Sequence, residues 1–174
     1  MKTTGIVRRI DELGRIVIPK EMRRTLSIKV GDSLEIFSDG EKLVLGKYQE
    51  LLKIEDMAQS LCDSVAESCG YMVLVCDDRK VICENMHGTS YLGALVSEGV
   101  SKAIEQRKHI KGGDAIGADA LLIGEHFESA SMHTVLANGE APGGVIVCSL
   151  DTEDDEKLDD VCKLCAIYLG KHLG

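Results

Sequence analysis

Residues 4–26 read TGIVRRIDELGRIVIPKEMRRTL, and this stretch decides how the N-terminal end of the chain folds. Gly5 to Ile10 opens as a short strand, Asp11-Glu12-Leu13-Gly14 is a turn, and Arg15-Ile16-Val17-Ile18 is a second, β-branched strand. Pro19 fits the first position of a helix, where its missing N–H costs nothing, so residues 20–26 read as a short helix. Gly31-Asp32 breaks the chain before a third strand over residues 33–37. Ser38-Asp39-Gly40-Glu41 carries an Asp-Gly hairpin signal and leads to a fourth strand over 42–48. A β-β-α-β-β unit of under 50 residues buries little by itself and needs a metal, disulfides or a partner chain. No Cys or His lies in this segment, so association with a second copy is the remaining route.

Charge points to the same end of the chain. The 174 residues carry a net −9, yet residues 1–30 alone carry +5 and the other 144 carry −14. The bases of that segment are Lys2, Arg8, Arg9, Arg15, Lys20, Arg23, Arg24 and Lys29, against Asp11, Glu12 and Glu21. The local field governs binding of a polyanion, so the acidic total does not exclude nucleic acid. Arg8 lies on the first strand, Arg15 begins the second, and Arg23 and Arg24 share the short helix. Doubled by a two-fold axis, they form a positive surface suited to a duplex groove and its phosphates. An arginine fork grips a phosphate or a guanine edge bidentately, which a lysine cannot do. The other reading is a solvated basic face neutralised by Asp11, Glu12 and Glu21, and charge alone leaves both open.

From Gln49 to Cys69 the periodicity turns helical, with Leu51, Ile54, Ala58, Leu61 and Val65 at steps of three and four. The stripe is broad enough to pack on its own domain or on a partner helix as well. A compact α/β domain follows. Residues 71–76 are a buried strand, 77–80 a turn, 81–84 a returning strand, and 90–107 a helix. Residues 111–124 are Gly-rich and aperiodic. Residues 131–136 and 144–150 form a hairpin around a loop at 137–143. A final helix spans 154–172, its acidic start suited to the positive end of the helix dipole. Leu158, Val161, Cys165 and Tyr168 give that helix an apolar face, widened by Cys162, Leu164 and Leu169.

Several function classes recede. With two Phe, four Tyr and no Trp, stacking platforms for single-stranded nucleic acid are scarce. The N-terminus lacks the apolar stretch of a secretory signal, and no run approaches the ~18 apolar residues that span a bilayer. The expectation is a soluble, cytoplasmic chain with no membrane partner, and seven cysteines there do not form a disulfide framework. Cys162 and Cys165 make a single Cys-x-x-Cys on a helix, which reads as packing rather than metal or redox chemistry. The five histidines (His87, His109, His126, His133 and His172) are scattered, and no Cys/His nucleophilic site is legible. Gly112, Gly113 and Gly117 match no phosphate-binding loop. No catalytic residue or metal ligand is expected, and no cofactor-binding residue can be named. A thiol or metabolite enzyme in residues 71–174 would need a convergent polar site that the sequence does not display.

The stretch 4–26, followed by Gly31-Asp32-Ser-Leu-Glu-Ile-Phe37, closely resembles the AbrB-type DNA-binding domain. The resemblance implies a swapped-hairpin β-barrel dimer in which Arg8, Arg15, Arg23 and Arg24 contact double-stranded DNA, with Lys2, Arg9 and Lys20 adding to the field. The whole-chain layout is similar to a family of spore-development regulators in endospore-forming bacteria. In that family an AbrB-type domain is joined through a helix to a C-terminal GAF domain, and the protein acts as a tetramer. The implied architecture is α+β: an AbrB-type domain at 1–49, a connecting helix at 50–69 packing with the C-terminal domain, and a GAF-like α/β domain with a central antiparallel sheet at 70–174. The implied function is sequence-selective activation and repression of sporulation genes as a homodimer through the N-terminal domain and a homotetramer through helices of the C-terminal domain. GAF domains commonly bind small molecules, but the Asn-Lys-Phe-Asp-Glu signature of cyclic-nucleotide binders is missing, so no ligand is named. Related swapped-hairpin folds also serve antitoxins, which usually end in a disordered, toxin-wrapping tail, so an antitoxin-like protein is the alternative.

Overall fold

The computed structural model describes residues 5–26, 28–85, 90–115, 119–149 and 155–174. The chain divides into two units, Met1–Tyr48 and Gln49–Gly174.

In the first unit, helix α1 spans Lys20–Thr25, and strands β1 (Leu34–Asp39) and β2 (Lys42–Lys47) form an antiparallel ribbon. Its register runs from Leu34↔Lys47 to Asp39↔Lys42, leaving a two-residue loop, Gly40-Glu41. Gly40 takes φ +59° at the first loop position, where a primed hairpin turn requires the positive φ that glycine adopts freely. The strands expected at 5–10 and 15–18 are not formed within one copy. Both segments flank the turn at 12–14, and among the described residues β1 and β2 pair only with each other, so neither segment has a strand partner. Pro19 caps α1 from outside with ψ 146° instead of occupying its first turn.

The second unit holds a five-stranded antiparallel sheet in the order β4-β3-β7-β6-β5. The strands are β3 (Met72–Cys76), β4 (Val81–Glu84), β5 (His109–Lys111), β6 (Ser129–Ala137) and β7 (Glu140–Ser149). Alternation along β3 and β7 divides the core. Val73, Val75, Val145 and Val147 pack under α2 (Glu55–Cys69) and α4 (Asp155–Leu173). Met72, Leu74, Cys76, Ile146 and Cys148 pack on the other face with Val100, Ala103 and Ile104 of α3 (Glu98–Gln106) and with Leu121, Leu122 and Phe127. Both faces are covered, which is why these strands read as continuous apolar runs.

Buried Asn85 ties α2 to β3. Its Oδ1 accepts from the Val73 N–H at 2.8 Å, and its Nδ2 donates to the carbonyls of Cys62 at 2.8 Å and Tyr71 at 3.0 Å. At Gly170 helix and strand come so close that a Cβ would lie 2.3 Å from the Leu136 carbonyl oxygen, so only glycine fits.

Several segments differ from expectation. A 3-10 turn, Glu50–Ile54, precedes α2. Residues 90–97 are not helical: the chain is drawn into bridges Lys80↔Leu95 and Val96↔Leu122, and α3 begins only where the Ser97 hydroxyl caps it by accepting from the Val100 N–H at 3.1 Å. Edge strand β5 lies between α3 and the aperiodic stretch and was not expected, and the chain continues from it as a 3-10 turn at Gly112–Asp114. The β6–β7 loop is only Asn138-Gly139, with φ +50° and +81°, the geometry an Asn-Gly type I′ turn supplies. The acidic start of the final helix at 151–154 lies outside the described residues, as does His87.

Candidate nucleic-acid interface

The turn between the two extended segments is built by one carboxylate. Asp11 Oδ1 accepts from the Leu13 N–H at 3.0 Å and the Arg15 N–H at 2.8 Å, while Oδ2 receives the Arg15 Nε–H at 2.7 Å. The Asp11 N–H donates to the Arg15 carbonyl at 3.1 Å, and Gly14 takes φ +76° to close the turn. The Arg15 N–H and guanidinium hold the Asp11 carboxyl below its ordinary pKa, outweighing slight desolvation. Arg15 is thus tethered at its Nε while its side chain stays 72% exposed, which leaves the far edge of the guanidinium open to a ligand.

Arg8 and Arg9 stand exposed on the extended segment before the turn, and Lys20 and Arg24 are exposed on α1. Among the described residues none of these, nor Arg23, makes an ion pair, so Glu12 and Glu21 do not neutralise the basic face as the alternative reading required. Arg23 differs from the rest: it is half-buried, and its Nε is fully covered without a hydrogen-bond acceptor. Lys2 lies outside the described residues. Among the described arginines of this unit, Arg15 alone is held by an ion pair within its own chain.

Composition alone did not mark a second property of this unit. Among its described residues only Pro19 is buried, and twelve large apolar side chains are exposed, Val7 at 87%, Val17 at 75% and Val30 at 93% among them. The signal was the β-branched run itself, whose partner surface one copy does not contain.

The second unit has its own polar cluster, centred on Asp159. Asp159 Oδ1 accepts from Ser131 Oγ at 2.5 Å and lies 2.8 Å from His133 Nε2; Oδ2 is 3.5 Å from Lys111 Nζ, and the His109 ring stacks on His133 at 5.0 Å. Burial opposes ionisation of Asp159, but hydrogen bonds from Ser131 and His133 and the charges of His133 and Lys111 outweigh it and lower the pKa. The serine bonds the acid rather than the histidine, so the cluster fastens α4 to β5 and β6 and does not form a nucleophile–base pair. The cysteines are packed: burial pushes the Cys76 thiol up to about 12 and those of Cys83 and Cys165 up to about 11, and raises Cys62, Cys148 and Cys162 as well. Cys162 and Cys165 both face the core beneath α4.

With this geometry in place, known proteins can be set beside the chain. The family described as antidote-toxin recognition MazE, bacterial antitoxin, matches residues 7–52, and the family described as stage V sporulation protein T C-terminal, transcription factor, matches residues 53–174. Stage V sporulation protein T of Bacillus subtilis is 36% identical over 176 residues, covering 99% of each chain. The chain belongs to the stage V sporulation protein T family. It is a DNA-binding regulator of sporulation transcription. The transition state regulatory protein AbrB of B. subtilis is 47% identical over 74 residues, covering 42% of this chain and 77% of AbrB. The GAF domain of a phosphoenolpyruvate-protein phosphotransferase from Coxiella burnetii superposes with a TM-score of 0.51 at 14% identity, covering 71% of this chain and 87% of that one. The second unit therefore has a GAF-like fold, and the first is an AbrB-like DNA-recognition domain.

Proposed function

We propose that the chain is a sequence-selective regulator that both activates and represses transcription, gripping double-stranded DNA with Arg8, Arg15, Arg23 and Arg24 of two intertwined copies. The observation that carries this reading is a first unit that exposes its arginines and twelve large apolar side chains yet has almost no buried residue of its own. A second copy would cover the apolar set, supply strand partners for 5–10 and 15–18, and double the cationic surface. Lys2, Arg9 and Lys20 add to the field without specifying sequence. The domain organisation that fits is a DNA-binding part at 1–49, a helical part at 50–69 packing with the C-terminal domain, and a GAF-like part at 70–174.

Tetramer formation belongs to the outer face of α4. Leu158, Cys165, Cys162 and Leu169 are spent on the unit's own core, whereas Leu164, Ile167 and Tyr168 remain exposed for a partner helix. A small-molecule input through the second unit is part of the reading and rests on the GAF-like fold alone. Localisation in the cytoplasm follows from the work of a transcription regulator, and no helix among the described residues is long and apolar enough to cross a membrane.

Arg23→Ala tests the grip. Titration of a promoter duplex should show binding weakened about tenfold or more with the melting temperature unchanged, and the parent's log K should fall by ~0.9 per phosphate neutralised as log salt rises. A folded Arg23→Ala protein that binds as tightly as its parent removes Arg23 from the site.

The MazE match over residues 7–52 favours a second reading, an antitoxin-like protein that neutralises a protein partner. The well-packed second unit tells against it, because such antitoxins usually end in a disordered tail. A small toxic protein co-purifying with the chain at fixed ratio would restore it.

A further inference from the structure

Residues 49–174 carry a net −12, yet four of their ten Lys and Arg residues, Lys102, Arg107, Lys108 and Lys111, fall within one stretch of ten. The structure places them from α3 into β5, the edge strand of the sheet. Lys111 is turned toward Asp159 and Lys102 pairs with Glu98 on the helix surface. Arg107, Lys108 and His109 remain as three successive exposed residues, and Lys108 makes no ion pair among the described residues.

The backbone at Arg107 supplies an independent observation. Arg107 ends α3 in the left-handed conformation, φ +57° and ψ +40°, with the Lys108 N–H returning to the Ala103 carbonyl at 2.8 Å. Glycine is the residue that fits this helix-ending geometry without strain. An arginine stands there instead, and its Nη2 donates to the Gly139 carbonyl in the β6–β7 turn, which fixes where the guanidinium points. That contact holds the guanidinium on the exposed edge beside Lys108.

We propose that the Arg107-Lys108-His109 edge is a second DNA-contacting surface that holds phosphates outside the segment gripped by the N-terminal units. The inference rests on the DNA-binding reading above. Arg107 and Lys108 stand side by side on the open edge rather than converging with other bases in a pocket, an arrangement that suits the phosphates of a polyanion better than a compact anion. With Glu105 counted, the stretch 102–111 carries +3 in a unit that is otherwise −15, so this edge is where the unit meets DNA with least repulsion.

The test uses the full chain and two variants. Arg107→Gly removes the cation while relaxing the backbone, so the fold is kept; Lys108→Glu reverses a charge that nothing pairs. Fluorescence anisotropy compares a duplex of about 20 base pairs, two helical turns, with one of about 60. Both variants should bind the short duplex like the parent. On the long duplex each should lose about tenfold in affinity, and the slope of log K against log salt should fall by roughly one per lost contact. Unchanged long-duplex affinity and slope in Arg107→Gly would overturn the proposal. So would intact DNA binding with altered sedimentation, which would assign the edge to an acidic face of a second copy. Loss on the short duplex as well would mean that the variants disturb the N-terminal grip rather than a second surface. If the parent itself failed on both duplexes, the DNA-binding reading would fall before this one.

Discussion

An arginine serves recognition best when something fixes it, and the chain fixes its arginines in different ways. Arg15 is tied to Asp11 within the turn it helps to close. Arg23 carries a covered Nε with no acceptor of its own, a donor whose desolvation is offset only when a phosphate, a base or a partner copy provides one. The arginines were legible in sequence because charge is a local property and eight bases crowd the first 30 residues. Asp159 was not, because its partners Ser131, His133 and Lys111 come from distant strands. The cysteines yield a prediction at this scale. Burial raises six of the seven thiols, and Cys69 is the one whose side chain is only partly buried. The thiolate is the reactive form, so at pH 8 native protein should incorporate one equivalent of iodoacetamide per chain quickly. Cys69→Ser should abolish that phase; fast labelling of Cys162 or Cys165 would revive a redox reading of the Cys-x-x-Cys.

Elements were read best where periodicity was long and worst where turns were short. The Asn138-Gly139 turn was present as a dipeptide, but Pro142 three residues on made the loop look longer. The strand accommodates that proline where the β6–β7 register shifts between Val135 and Ala137, a bulge that does not need its N–H. Residues 90–97 have helix-compatible composition, yet bridges to Lys80 and Leu122 claim them. The terminal helix was expected to show one apolar face and has two, the inner one built around Gly170. Gly170→Ala would place a methyl 2.3 Å from the Leu136 carbonyl oxygen, which neither backbone can yield without moving. The expected cost is about 2–3 kcal/mol, seen as a lower midpoint in urea with the m-value unchanged. A shift below about 0.5 kcal/mol would mean that α4 does not ride as close to β6 in solution.

At the scale of the whole molecule, the two units are built on opposite principles. Among the described residues, the second unit buries apolar side chains on both faces of a sheet, while the first leaves twelve large apolar side chains exposed and the segments 5–10 and 15–18 without a strand partner. The sequence showed the first unit's strands at 5–10 and 15–18 more clearly than one copy can form them, because a β-branched pattern specifies a pairing surface without saying which chain supplies the partner. Two intertwined copies, as proposed above, would resolve that mismatch and place the arginines on a common surface. Native-state amide hydrogen exchange of the full chain reads this out residue by residue. The amides of residues 6–10 and 15–18 should exchange at least about 100-fold more slowly than in free peptides, and the protection should fade on dilution as the copies separate. If those amides exchange at free-peptide rates while the protein still binds DNA, the intertwined grip is wrong.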